Sequence, residues 1–156
     1  MTPVRGSART TPSRERLLLA LGAYAALLAW ILLWPSGSVA TWVVVHTAQG
    51  LTDLGAPGSL VVGGRVEFAL NAAMVVPLVL LAALLWPRWG WERWTAYAFV
   101  GSCAVELFQG LFLPLRSAQF DDVVANSLGA GVGAILGGLL VARRRRRGPG
   151  TTHQTG

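Results

Sequence analysis

Four stretches of nearly unbroken apolar residues, parted by short polar, proline or glycine breaks, dominate the chain. They run about Leu17 to Trp34, Glu67 to Trp86, Glu92 to Leu113 and Asp122 to Val141. Each is close to the roughly 20 residues an α-helix needs to cross a hydrocarbon core. Backbone groups in lipid must be satisfied within their own segment, so runs of this length predict helices. The breaks agree with this: Pro35 and Gly37 follow the first run, Pro87 the second and Pro114 the third, and Asp122 suits an N-cap at the start of the fourth.

The segment from Val39 to Arg65 has a different pattern. Its apolar runs, Val43 to Val45 and Leu60 to Val62, are too short to span, and glycines and Pro57 interrupt it. An interfacial helix near Trp42 to Leu54, followed by a loop, is expected there. The expected fold is therefore an all-α integral membrane protein with four transmembrane helices and a short interfacial segment between the first and second. Residues 1–16 and 142–156 are polar and lack the apolar surface needed to fold alone, so they read as disordered tails around a bundle spanning 17–141. The first run, followed by Ser38-Val39-Ala40, has some features of a cleavable signal. It is longer than a signal's apolar core and ends in Trp30 and Trp34, so a retained helix is expected.

Composition supports a membrane setting. The chain of 156 residues is 53% hydrophobic and only 13% charged, against about a quarter charged in soluble domains. The net charge of +6 sits beside apolar segments, which points to membrane orientation and not to a nucleic-acid partner. With four spans both ends share one side. That side carries eleven arginines, in the two tails and at Arg88 and Arg93, against Arg65 and Arg116 on the other. The bias places both termini in the cytoplasm of a multi-pass cell-membrane protein. Cys103, the single cysteine, excludes an internal disulfide and reads as a buried thiol.

Polar residues from three spans then fall at one depth near the outer face. Glu67 and Asn71 stand four apart on the second span, Glu106 and Gln109 three apart on the third with Ser102 a turn deeper, and Asp122 and Asn126 four apart on the fourth. Arg116 lies in the connection between the last two and is expected to pair with Glu106 or Asp122. Ionisable groups at membrane depth are costly and usually face a bundle interior or a water-filled cavity. Polar residues between helices can also be simple glue, each contact contributing about 1 kcal/mol or less. Asn71 and Gln109 fit that role at least as well as a functional one. Glue does not require charge, so Glu106, Arg116 and Asp122 point toward a ligand site. Asp121 reads as a cap or solvent-facing group, and His46 as a satisfied or exposed histidine.

Gly129, Gly133 and Gly137 recur every four residues along the fourth span, which suits close helix packing within the bundle better than a dimer seam. The run Arg143, Arg144, Arg145, Arg146 and Arg147 reads first as a topology-fixing block and second as a grip on anionic lipids.

The order Glu106-x-x-Gln109, Pro114-x-Arg116, Asp122-Val-x-x-Asn126-x-x-Gly129-x-x-x-Gly133 resembles the signature of VanZ-like membrane proteins. The resemblance reaches back to Asn71 and Pro77 and covers roughly Arg65 to Gly138, although Leu78-Val79-Leu80 replaces the small residue usual after that proline. It implies a cell-envelope protein. The family's namesake is associated with reduced susceptibility to glycopeptide antibiotics such as teicoplanin.

Three functions follow as expectations. The first is a non-enzymatic protein whose outward polar cavity binds a lipid head group or an amphipathic, glycopeptide-like ligand, with a role in antibiotic resistance. The second is an enzyme acting on a lipid-linked phosphate, with Glu106 and Asp122 as acid and base and Arg116 on the phosphate. The motif holds no nucleophile–base pair, and its carboxylates alone make a poor hard-metal site, so no metal or cofactor is expected. The third, transport, is the weakest, because four helices are few and no inverted repeat is visible.

Overall fold

The computed structural model describes residues 13–34, 38–113 and 119–147. They form five helices: α1 (Arg14–Leu33), α2 (Ser38–Asp53), α3 (Gly63–Leu85), α4 (Trp91–Phe112) and α5 (Phe120–Arg146). Four of them, α1, α3, α4 and α5, are long and apolar enough to cross a membrane. The protein is therefore an all-helical, multi-pass membrane protein, as the hydropathy pattern predicts. The shorter α2 falls between the first two spans and packs on α3. It starts at Ser38, one turn before the expected Trp42.

Helix ends follow local chemistry, with three departures from expectation. Ser13 caps α1 by accepting the Arg16 amide N–H at 3.4 Å, so helix replaces the last residues of the expected N-terminal tail. At the other end α5 continues through Arg143 to Arg146, where a disordered tail is expected. Arginine is a good helix former, and cations suit the negative end of the helix dipole. Finally, Asp122 is not the N-cap of α5. Gln119 occupies that position, and Asp121 and Asp122 sit in the first turn, where carboxylates oppose the positive end of the dipole. Pro77 lies inside α3 without ending it, a tolerance common in membrane helices.

The core is the seam between α3 and α5, which run parallel and share the most extensive contact in the bundle. Apolar side chains gain little by leaving lipid for a helix interface, so close backbone approach has to supply the contact. Glycine makes that approach possible. A methyl group at Gly129 would land on the carbonyl oxygen of Ala72, one at Gly133 on that of Val76, and one at Gly137 on the Ala83 side chain. Ala125 and Ala130 are fully buried on the same helix. Ala130 and Ala134 form a small apolar core with Val79, against which Val75, Trp94 and Ala98 pack.

The helix α4 lies antiparallel on another face of α5, with Thr95 opposite Gly131 at one level and Glu106 opposite Gln119 at another. The helix α1 is peripheral. Leu28 is its single buried residue, whereas α5 buries seven. Large apolar side chains such as Leu107, Leu111, Val132 and Leu139 point outward, as a lipid-facing surface requires. Cys103 is exposed on that surface and is not the buried thiol expected. Its neighbour Ser102 takes the inward-facing position.

The helices α1 and α4 end where α3 and α5 begin, and this end of the bundle holds the polar side chains. Tilted Trp30 and Trp34 rings mark it, 5.3 Å apart. At the opposite end Trp89 contacts Trp94 and Tyr97 at 4.9 and 5.5 Å. Aromatic side chains at both ends match the belts seen at membrane interfaces.

Candidate functional site at the polar end of the bundle

Ser102, Glu106 and Gln109 are the buried polar residues among those described. They stand at i, i+4 and i+7 and so form one inward stripe on α4. The sequence places them there because Cys103, Leu107 and Leu111, on the opposite side of α4, are apolar and face outward.

Glu106 is 8% exposed, and its Oε2 accepts the backbone N–H of Gln119 at 2.7 Å. That amide is one of the first of α5, a group with no partner inside its own helix. A buried carboxylate thus receives a hydrogen bond and the favourable end of a helix dipole from the same element. One turn into α5, Asp122 Oδ1 accepts the side-chain amide of Asn71 on α3 at 2.5 Å. A carboxylate acceptor makes such a bond stronger than one between neutral groups. Glu106 and Asp122 therefore occupy the same end of the bundle, linked through the first turn of α5.

The remaining expected site residues divide. Gln109 turns away from this pair and donates its amide to the Leu32 carbonyl of α1 at 2.6 Å. Glu67 is half-buried one turn before Asn71 on α3. Asn126 is half-buried and lines a separate apolar cavity of about 420 Å³ between α1, α3 and α4. Gly129, Gly133 and Gly137 lie on the α3 seam and contribute backbone approach, not chemistry. Arg116, and with it the expected pairing to Glu106 or Asp122, lies outside the described residues, as does Pro114. Asp121 is exposed. His46 is exposed on α2, its ring stacked on Trp42 at 4.0 Å and its Nδ1 2.8 Å from the Trp42 carbonyl oxygen.

Three features of the site carry no signal in the sequence. One is the Gln119 amide, a backbone group that any residue type would supply. Another is Tyr24 of α1, whose hydroxyl donates to the Met74 carbonyl at 2.9 Å and ties α1 to α3. The third is the cavity, which exists only because α1 stands off from α4.

Chemically, the arrangement offers carboxylates held inside a helical membrane protein, next to an apolar space with few polar groups of its own. This defines a multi-pass protein with a buried acidic site at one end of its bundle. Residues 21–141 match the VanZ/LLP1 family model, a stretch that takes in all of α3 and α4, most of α1 and α5, and every residue of the site. The chain belongs to the VanZ/LLP1 family. No curated protein and no solved structure matches it.

Proposed function

We propose that this VanZ-like protein binds the polar head of a lipid, or of an amphipathic glycopeptide-like ligand, on the extracytoplasmic face of the cell membrane. The observation that carries the reading is Glu106, a carboxylate buried among membrane-crossing helices and held by the Gln119 amide. Burying an ion costs several kcal/mol even after relaxation, and a well-packed apolar residue would serve stability as well or better. An ionisable side chain kept inside a membrane bundle points to a functional site, and a ligand that uses it accounts for its presence best.

The arginine distribution supports the orientation. Eleven of the thirteen arginines lie in the two tails and in the connection between the second and third spans, a bias that favours cytoplasmic termini and an outward-facing site. Anionic head groups of the inner leaflet would then meet Arg143 to Arg147, each contributing about 1 kcal/mol near the surface. Holding an amphipathic antibiotic or its lipid-borne target at the outer face would change how much of it reaches its site of action. That is the route by which a resistance role would arise.

The test compares cells lacking the protein with cells expressing wild type, Glu106→Gln or Asp122→Asn at equal levels. Surface retention of a fluorescent glycopeptide and of a fluorescent phosphatidylethanolamine, whose ammonium head suits a carboxylate, is measured. Wild type is expected to change retention of at least one probe several-fold, and both variants to return it to the level of cells without the protein. Equal retention in all four strains contradicts the proposal.

A further inference from the structure

The cavity of about 420 Å³ lies between α1, α3 and α4, beside the polar cluster but not part of it. Its volume is in the range of small-molecule sites and far above the water-sized voids left by ordinary packing. Leu28 and Leu32 of α1, Met74 and Leu78 of α3, and Ala98 and Gly101 of α4 are among its walls. Its hydrogen-bonding side chains near the cluster are Ser102 and Asn126. Ser102 stands one helical turn from Glu106, and Asn126 one turn from Asp122. The cavity is thus apolar along its length and meets the acidic site at one end.

Its dimensions select among occupants. On α4 the lining runs from Trp94 to Val105, about 17 Å at 1.5 Å per residue. That is close to half of the roughly 30 Å hydrocarbon core, the depth of one leaflet. Spread over this length, 420 Å³ gives a slot about 5 Å wide, half the width of a helix. A helix of another protein would need about three times the volume. Water needs two to four polar partners per molecule, and along the middle of the slot the Ala, Leu, Met and Val walls supply none. What fits is a single alkyl chain.

We infer that this slot holds one acyl chain of a bilayer phospholipid, admitted past α1, with the head group directed to the Glu106–Asp122 end. The head-group part rests on the function proposed above, whereas the seating of the chain does not. The helix α1 is the wall suited to admit it. Leu28 is its one buried residue among those described, and its side-chain ties to α3 and α4 include Tyr24 to the Met74 carbonyl and Gln109 to the Leu32 carbonyl. Gly101 lines the slot and offers a position from which to fill it. A Cβ built there meets nothing within 4 Å, so a larger side chain at this cavity-lining position enters open space and not a neighbouring backbone.

The experiment uses the full chain in vesicles of phosphatidylethanolamine and phosphatidylglycerol. A trace of phosphatidylglycerol carries a diazirine midway along one acyl chain. After illumination, labelled residues are mapped by mass spectrometry. Labelling per residue at Met74, Leu78 and Ala98 is expected to exceed that at outward-facing Val132 and Leu136 by threefold or more. Gly101→Phe fills the slot and is expected to cut the cavity labelling at least threefold with no change at Val132. Ala29→Phe, which fills it from α1, should act the same way and keeps the test decisive if the first variant does not fold. Gly138→Phe, placed where a Cβ meets open space outside the cavity, should change nothing.

Cavity labelling no higher than at outward positions, or unaffected by both filling variants, overturns the inference. Glu106→Gln separates the two readings. Cavity labelling that persists there, together with unchanged surface retention in the cell assay, leaves the chain seated and the head-group reading wrong. Loss of surface retention in Glu106→Gln, with no preferential cavity labelling in wild type, means the reverse.

Discussion

Asn71 of α3 donates its side-chain amide to Asp122 of α5 at 2.5 Å, so two parallel membrane helices are joined by a charge-assisted hydrogen bond at the end where Glu106 meets the first turn of α5. The bond does two things at once. It fixes the register of the glycine seam below it, and it gives a hydrogen-bond donor to a carboxylate inside the bundle.

The energetic weight of that bond is open to a double-mutant cycle with Asn71→Leu and Asp122→Leu. Interhelical hydrogen bonds in membranes typically contribute about 0.6–2 kcal/mol, and a charged acceptor belongs at the upper end of that range. A coupling energy of about 1–2 kcal/mol is expected from unfolding in mixed detergent micelles. Additive single effects would show that the two side chains do not act as a pair.

The glycine seam makes a sharper structural prediction. Gly129→Ala and Gly133→Ala place a methyl against the α3 backbone and are expected to destabilise by about 1–3 kcal/mol, the usual cost of overpacking. Gly138→Ala, one position beyond Gly137 and facing open space, is expected to be neutral or slightly stabilising, since alanine is the better helix former. Thermal unfolding of the three variants in detergent checks the ordering.

Glu106 holds an otherwise unpartnered helix amide, so its removal should register first at Gln119. Glu106→Ala is expected to speed amide hydrogen exchange at Gln119 and at the neighbouring Phe120 by about tenfold, the equivalent of roughly 1.4 kcal/mol. Exchange at the centre of α5, near Ala130 and Ala134, should be unchanged. Uniform acceleration along α5 would instead mean that Glu106 supports the whole bundle and not one helix end.

The attachment of α1 depends on two polar ties and little burial. Tyr24→Phe and Gln109→Leu each remove one of them at a cost of about 1 kcal/mol. Both are expected to raise hydrogen exchange across Ala25 to Leu33 and to leave α3 and α5 protected. The two changes together should detach α1 more than either alone, because both ties join α1 to the rest of the bundle.

Much of this architecture could be read from the chain, for reasons specific to membranes. Lipid forbids unsatisfied backbone, so an apolar run of sufficient length has one solution, and α3, α4 and α5 begin within four residues of their expected starts. Ser102, Glu106 and Gln109 were equally legible, since polar residues at helical spacing in an apolar span must face inward. The boundaries were less so. Arginines that look like a tail by composition continue α5, because a helix tolerates charge once it has left the hydrocarbon. Asp122 resembled a cap, but its pairing with Asn71 depends on the approach of α3, which no local pattern encodes. The division of the amides was hidden for the same reason. Gln109 and Asn126 share the depth of Glu106 in sequence, and only the position of α1 sends one to a carbonyl and leaves the other beside a cavity.

The account turns on which side of the membrane the Glu106–Asp122 end occupies. A membrane-impermeant maleimide applied to intact cells decides this, with single cysteines placed by Asp121→Cys and Arg147→Cys in a Cys103→Ser background. Both positions are exposed, at opposite ends of α5. The expected result is labelling at 121 in intact cells, and at 147 only after the cells are opened. Labelling of 147 in intact cells, with 121 protected until lysis, would contradict the account at its centre.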